Sequence, residues 1–337
     1  MAQTGELPAV TIVMPAYNAA HFLPLTIPAA LAALEGGRLI VVDPASTDGT
    51  GQLARQLGAE VITLAQRAGP AHARNVGVEQ VRTELVLFID SDCVAHPDVV
   101  QRVRAAFAEH RDLVSLIGSY DAEPPEPNFF SQYMNLRHHL THQRANQEPA
   151  GFWAGCGAVR REAFRRVGGF DAERYPMPMI EDIDLGLKLS AIGRCRLDPA
   201  LHVTHLKHWT LRGVIETDIK SRAIPWAKLI LRSGELPNDL NLRVSQRIAA
   251  ALAPLVLLSV PVLPVLWFVQ PAFAAVASAP LLISLALHWD VLRSLVRLRG
   301  LPFALGYYLF QQVHLTYSAG TFAILSLLHA TRGKSAR

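Results

Sequence analysis

The chain has 337 residues, of which 50% are apolar and only 18% charged, and its mean hydropathy is +0.22. Soluble proteins average about 25% charged residues, so this composition excludes a disordered chain and points away from a plain soluble globule. The formal charge of +4 is unevenly placed. Residues 1–247 hold 26 basic and 27 acidic side chains, whereas residues 248–337 hold six basic ones and one acid, Asp290. A near-neutral N-terminal part offers no basic face to a nucleic acid, and a basic, apolar C-terminal part suits a membrane. Cys93, Cys156 and Cys195 have no metal-ligand spacing and are too few for a disulfide scaffold, which fits a reducing compartment.

In chain order, apolar runs at residues 10–14, 39–42, 61–64, 85–89 and 113–118 predict buried strands. Residues 19–34, 48–57, 69–80 and 97–110 predict the helices between them. Such alternation implies right-handed crossovers and an α/β fold with a mainly parallel sheet flanked by helices. Ligands of these sheets bind beyond the carboxyl ends of the strands. There the sequence places Pro15-Ala16-Tyr17-Asn18, then Asp43-Pro44-Ala45-Ser46-Thr47-Asp48-Gly49-Thr50, then Asp90-Ser91-Asp92. Singly, each also reads as an ordinary turn or helix cap. Asp90 and Asp92 resist that reading, because two carboxylates so close repel unless a cation lies between them. Carboxylate oxygens suit Mg²⁺ or Mn²⁺ shared with a diphosphate. No G-x-G-x-x-G follows a strand and no G-x-x-x-x-G-K-[ST] occurs, which removes the common dinucleotide and P-loop readings.

Farther on, Gly168-Gly169-Phe170-Asp171 marks a turn, and Glu181, Asp182 and Asp184 open a predicted helix over residues 181–192. Acids in a first turn suit the helix dipole, and a carboxylate placed there also suits a general base. Residues 211–231 mix apolar and basic side chains, as a helix on a membrane surface or a core-packing helix would. Residues 248–289 contain no charge and have room for two spans, 248–269 and 272–289, with a break at Gln270-Pro271. Arg243 and Arg247 before them, and Arg293, Arg297 and Arg299 after, place both flanks in the cytoplasm. A third stretch, residues 301–329, contains Gln311, Gln312 and His314, and either crosses or lies in the interface. The competing reading is a buried hairpin of a soluble protein; Pro254, Pro261, Pro264, Pro271 and Pro280 count against it. Residues 1–9 include Glu6 and do not resemble a secretory signal, so the N-terminal domain is expected in the cytoplasm of a multi-pass cell-membrane protein. The expected organisation is a catalytic domain at 1–209, an interfacial helical linker at 210–247, a membrane region of two to three helices at 248–329 and a basic tail at 330–337.

Taken in order, VMPAYN (13–18), VVDPASTDGT (41–50), ARN (73–75), FIDSD (88–92), VGGFD (167–171) and EDIDL (181–185) resemble a family 2 glycosyltransferase with the GT-A fold. The resemblance covers roughly residues 10–207, and the hydrophobic C-terminus resembles the membrane-anchored branches of that family. It implies a nucleotide-diphospho-sugar transferase domain followed by C-terminal transmembrane helices. It places Pro15, Ala16, Tyr17 and Asn18 along the nucleotide, with Tyr17 against the base, Asp43 at base or ribose and Arg74 nearby. Asp90, Ser91 and Asp92 match the D-x-D element that touches ribose and the metal–diphosphate, and Asp90, Asp92 and His205 are the implied metal ligands for Mg²⁺ or Mn²⁺. Asp182 matches the catalytic base of an inverting displacement, with Glu181 and Asp184 as rivals; His202 and His208 are read as satisfied or solvated.

One departure concerns the base. The family usually reads DDGS where this chain has Asp43-Pro44-Ala45-Ser46, which removes an acid that commonly contacts the base. A UDP-sugar donor is expected, with GDP-sugars open. No Q-x-x-R-W motif is present, which weighs against processive polymer synthesis. The expected acceptor is a lipid or lipid-linked molecule, with residues 129–142 (Asn135, Arg137, His138 and His139 among them) on the acceptor side. The alternatives are transfer to polyprenyl phosphate and an inactive GT-A-like membrane scaffold.

Overall fold

The structure, a computed structural model, describes residues 7–233 and 243–335. The chain divides into two compact units, Met1–His208 and Trp209–Arg337. In the first, eight strands form one sheet: β1 (Val10–Pro15), β2 (Arg38–Asp43), β3 (Glu60–Thr63), β4 (Leu85–Ile89), β5 (Cys93–Ala95), β6 (Leu113–Tyr120), β7 (Cys156–Arg160) and β8 (Arg194–His205), in the order β3-β2-β1-β4-β7-β6-β8-β5. Between them run α1 (Leu23–Leu34), α2 (Thr50–Gln56), α3 (Pro70–Glu79), α4 (Val99–Glu109), α5 (Phe129–Arg144), α6 (Arg161–Arg166) and α7 (Glu181–Ser190).

Strands β3, β2, β1 and β4 pair in parallel, as the alternation predicts. Both faces of β1, β2 and β4 are covered, whereas β3, expected as a buried strand at 61–64, lies at the sheet edge with Glu60 and Thr63 exposed. Ile12 and Met14 join one core layer and Val13 the other; Leu85, Leu87 and Ile89 oppose Val86 and Phe88 in the same way. Burial on both faces is why these strands read as unbroken apolar runs. Beyond β4 the sheet is mixed. Strand β7 is antiparallel to both β4 and β6, with Gly157 opposite Phe88, and β5 is antiparallel to β8. These strands give little sequence signal: β5 has three residues, and β8 carries Arg194, Arg196, Asp198 and Pro199 among its buried positions.

Helix α1 starts at Leu23 rather than residue 19, because Asn18, Ala19 and Ala20 donate their N–H groups to Ser46, Thr50 and Asp48 instead of entering the helix. Helix α7 ends at Ser190, two residues before the expected boundary.

The second unit contains α8 (Leu211–Glu216), a π-helical segment (Thr217–Ala223), α9 (Ile224–Ser233), α10 (Val244–Val269), α11 (Pro271–Ala277), α12 (Ala279–Arg299) and α13 (Leu301–Ser335). The single helix expected over residues 211–231 is therefore interrupted. Its π segment holds the buried Asp218, which accepts hydrogen bonds from Arg222 (2.7 Å) and Tyr317 (2.7 Å) and pairs with His314 (2.9 Å). Residues 234–242 of the expected linker and 336–337 of the expected basic tail lie outside the described residues.

Val244–Val269 and Pro271–Arg299 are long and apolar enough to cross a membrane. The second runs past the expected end at residue 289, through Asp290 and Arg293. Helix α13 continues past residue 329 and is not among these two candidates. Trp267 and Phe268 are 63% and 87% exposed on α10, an apolar surface that a soluble hairpin would bury.

Candidate active site

The sequence-predicted residues gather at the carboxyl ends of β1, β2 and β4, where a parallel sheet opens its ligand crevice. The loops after β1 and β2 are stitched together. Asn18, at φ 48°, accepts the Thr47 N–H on its side-chain oxygen (2.9 Å), while its own N–H reaches Ser46 Oγ (2.9 Å). Asp48 caps Ala20 N (3.0 Å) and holds Thr50, and Thr50 Oγ1 accepts from Ala19 N (2.8 Å). Asn18, expected to border the nucleotide, is thus committed to holding the two loops together.

Asp43 is buried, and its Oδ1 accepts from Ser46 N (2.8 Å). A Cβ at Gly51 would stand 2.5 Å from Asp43 Oδ2, so glycine there makes room for the carboxylate. Pro44 is buried, and Ala45 takes the left-handed φ of 60°. Tyr17 stays 38% exposed, with the Arg67 guanidinium 4.8 Å above its ring. Arg67 is a site residue that the sequence reading missed, since no motif marks it. Pro15 is half-buried and Ala16 buried beside it.

Arg74, on α3, sits at the centre of the site. Buried, it donates to Asp90 Oδ1 (2.6 Å) and to Glu181 Oε1 (3.2 Å), and lies over the Phe170 ring. Burial pushes the Asp90 carboxyl above its ordinary range, the Arg74 charge only partly offsetting desolvation and the neighbouring Asp92. Glu181 uses its other oxygen to accept the Met179 N–H (2.8 Å). Both its oxygens are engaged, so Glu181, one of the expected catalytic acids, is placed as a brace. Asp184, the other rival, is buried against Arg174 (3.3 Å) and Lys188 (2.8 Å).

Asp182 differs from both. Half-buried at the start of α7, its carboxylate accepts the Ile183 N–H (2.8 Å) and a long bond from Ala154 N (3.5 Å). Among the described residues no cation pairs with it directly. Desolvation, and then the Glu181 charge, push its carboxyl up to about 7. A carboxyl poised there exchanges a proton near neutral pH, which is what a general base needs.

The antiparallel pairing of β5 with β8 sets Cys93 opposite His205. That register brings His205 Nε2 to 3.5 Å from Asp92 Oδ2. Burial opposes the charged form of Asp92, but the facing His205 and the charge of Lys207 prevail and hold its carboxyl down to about 2. Tyr120 stacks on His205 at 4.3 Å and 12°, fixing the imidazole plane. Asp92 and His205 are the two protein donors that fit a divalent cation. Among the described residues no group of three His, Cys, Asp or Glu side chains is spaced for a metal. A two-donor set matches Mg²⁺ or Mn²⁺, which takes its remaining oxygens from phosphates and water. Asp90, the other expected ligand, accepts from Arg74 on its Oδ1, and Ser91 between the acids is half-buried.

On the side expected to face the acceptor, Asn135 is buried and donates to Asp121 O (2.8 Å), so it belongs to the core. His139 bonds Tyr120 O (2.8 Å) and His138 packs edge-on to Tyr120. Trp153, which the sequence reading did not single out, meets Tyr120 edge-on at 4.8 Å next to the Ala154 N–H that reaches Asp182. Its signal was the glycine pattern around it, since a Cβ at Gly155 would stand 2.5 Å from the Trp153 ring.

Paired acids after a central strand, an aromatic after β1, a buried acid ending β2 and a poised carboxylate opening α7 define the GT-A class of nucleotide-diphospho-sugar transferases. Residues 11–168 match the family described as "Glycosyl transferase family 2". These residues, just under half of the chain, form a glycosyltransferase family 2 domain. Among curated relatives, the chain is 29% identical to validoxylamine A glucosyltransferase of Streptomyces hygroscopicus subsp. jinggangensis, over 56% of this chain and 53% of that one. It is 28% identical to pre-mycofactocin glycosyltransferase of Mycobacterium tuberculosis, over 60% of this chain and 45% of that one. The chain thus spans about half the length of these relatives. Among solved structures, a mannosyltransferase from Pyrobaculum calidifontis in complex with GDP-Man and Mn²⁺ aligns over 94% of this chain and 88% of that one, with TM-score 0.55 and 18% identity. S. aureus TarS in complex with UDP-GlcNAc aligns over 68% and 67%, with TM-score 0.50 and 18% identity. Both share the fold.

Proposed function

We propose that this protein is an inverting, divalent-cation-dependent glycosyltransferase that moves a sugar from a nucleotide-diphospho-sugar to a hydroxyl of a lipid or lipid-linked acceptor at the cytoplasmic membrane face. The observation that carries the reading is Asp182, a carboxyl pushed up to about 7 and free of direct cation pairing among the described residues. The acceptor hydroxyl gives its proton to Asp182 as its oxygen attacks the anomeric carbon. The bond from that carbon to the diphosphate oxygen breaks, and the nucleoside diphosphate leaves from the opposite face. Asp92 and His205 would hold a divalent cation, which when bound would supply positive charge against the leaving diphosphate. Arg74, fixed between Asp90 and Glu181, orders the floor of the site.

Two candidate spans and the arginines at both their flanks support anchoring with the first unit on the cytoplasmic side. Anchoring concentrates lipid acceptors beside the site. Pro44 leaves the donor base open: the solved neighbours were bound to GDP-Man and to UDP-GlcNAc.

The test is a donor screen on detergent-solubilised protein. It uses UDP-, GDP- and dTDP-sugars with Mn²⁺ or Mg²⁺, total membrane lipid as acceptor, and Asp92→Ala as control. Sugar transfer into the lipid fraction, lost in the variant, is expected. Metal-dependent nucleotide binding without lipid transfer would move the acceptor out of the lipid fraction. Neither binding nor turnover would leave a scaffold. An Asp182→Asn variant that still turns over well would indicate a phosphate acceptor, already ionised and in no need of a base.

A further inference from the structure

A polar layer lies inside the helical unit, where polar side chains are costly and mark a purpose. One turn of α12 supplies Ser284 and His288, and one turn of α13 supplies Tyr308 and Gln312. Ser284 and Gln312 are fully buried, and Tyr308 and His288 are 4% and 5% exposed. Ser284 Oγ donates to Gln312 Oε1 (3.3 Å), His288 meets the Tyr308 ring edge-on at 5.7 Å, and Tyr308 Oη lies beside Ser284 without a completed bond. Three polar atoms of this layer have no partner among the described residues: His288 Nε2, Tyr308 Oη and Gln312 Nε2.

Their chemistry specifies what they accept. His288 Nδ1 lies 2.8 Å from Ser284 O. A carbonyl only accepts, so Nδ1 carries the proton, and Nε2 of the neutral ring is an acceptor. Neutrality follows because a charged imidazolium is costly among apolar helices. Gln312 spends its oxygen on Ser284, which leaves its NH₂ as a donor. Tyr308 can do either. One acceptor, one donor and one group of both kinds match a hydroxyl group. An anion would meet the lone pair of His288, and a cation would meet the Gln312 amide protons with no carboxylate in the layer.

We infer that this layer is a binding site for one water molecule, which donates to His288 Nε2, accepts from Gln312 Nε2 and bonds Tyr308 Oη, joining α12 to α13. The near-complete burial of all four side chains fits a water rather than anything larger, and buried waters typically make about three such bonds.

The test is thermal unfolding of the full chain in detergent. If the hydroxyl of Tyr308 is bonded to a held water, Tyr308→Phe lowers the midpoint, by about 2–4 °C. If that hydroxyl is simply unpaired, removing it raises the midpoint or leaves it unchanged, and the inference fails. The second arm is a double-mutant cycle of Tyr308→Phe with Gln312→Met in a Ser284→Ala background, so that the serine hydroxyl cannot link the two. Partners of one water couple: the double variant loses less than the two singles together. Strict additivity overturns the shared water. The third arm repeats Tyr308→Phe after exhaustive exchange of bound lipid for detergent. An unchanged deficit supports water; a deficit that vanishes assigns the hydroxyl to a lipid and overturns it.

Discussion

Gly186→Ala adds one methyl group to the third residue after Ile183 on α7 and touches no polar group, yet it bears directly on Asp182. The new Cβ would stand 2.7 Å from Gly151 Cα and closer still to Gly151 C and Phe152 N, all of them backbone. Backbone cannot rotate away, so α7 must retreat from the 151–154 segment by roughly 1 Å to restore contact distances in a close-packed interior. That segment supplies the Ala154 N–H at 3.5 Å from Asp182, a bond already at its limit. Overpacking costs about 1–3 kcal/mol, offset by up to about 1 kcal/mol from replacing glycine within a helix. The net loss of about 1–2 kcal/mol lowers the midpoint by roughly 2–6 °C. Activity falls further, by about 10²-fold, because a 1 Å misplacement of a reacting group costs that much. Gly320→Ala is the control: a Cβ there meets nothing within 4 Å, and the midpoint holds or rises slightly. Melting curves and initial transfer rates are measured on all three proteins. A Gly186→Ala protein that melts and turns over like the wild type would refute the claim that this backbone contact positions Asp182.

Four further predictions concern the charged groups. As the proposed base, Asp182 would act only when ionised, so the transfer rate is expected to climb with pH through about 7, and Asp182→Asn to abolish that limb in a pH–rate profile. The same raised carboxyl binds its proton more tightly in the folded state than in the unfolded one. Stability therefore declines as pH rises from about 4 to about 7, and Asp182→Asn should melt above the wild type at pH 8. Glu181→Gln leaves one oxygen to serve both Arg74 and Met179 N–H. A loss of about 1.5–3 kcal/mol is expected for bonds to a buried charge, with kcat lowered more than donor affinity; an unchanged melting midpoint would argue against the brace. His205→Ala removes one of the two proposed metal donors, so the Mn²⁺ concentration for half-maximal rate should rise at least about tenfold, read by metal titration with saturating donor.

The amino-acid sequence by itself determined the central strands β1, β2 and β4, because strands buried on both faces must be apolar throughout, and 85–89 coincides with β4 residue for residue. It also carried the candidate carboxylates, since Asp43, Asp90, Asp92 and Asp182 each lie at or next to an element end that local pattern defines. The charge-free stretch around Gln270-Pro271 likewise announced two long apolar helices, because membrane length and composition are local properties. What each acid does was decided only in three dimensions. Glu181 and Asp182 are neighbours in sequence, yet a salt bridge to Arg74, 107 residues away, makes one a brace and leaves the other poised. His205 meets Asp92 because β5 and β8 pair antiparallel in one register, and short strands with mixed side chains carry no local record of their partners. The same holds for Asp218, drawn inward by a π-helical turn toward His314 and Tyr317. Hydrophobic periodicity is written along the chain, whereas desolvation and charge pairing depend on neighbours distant in sequence, so the pKa of a carboxylate is a property of the fold.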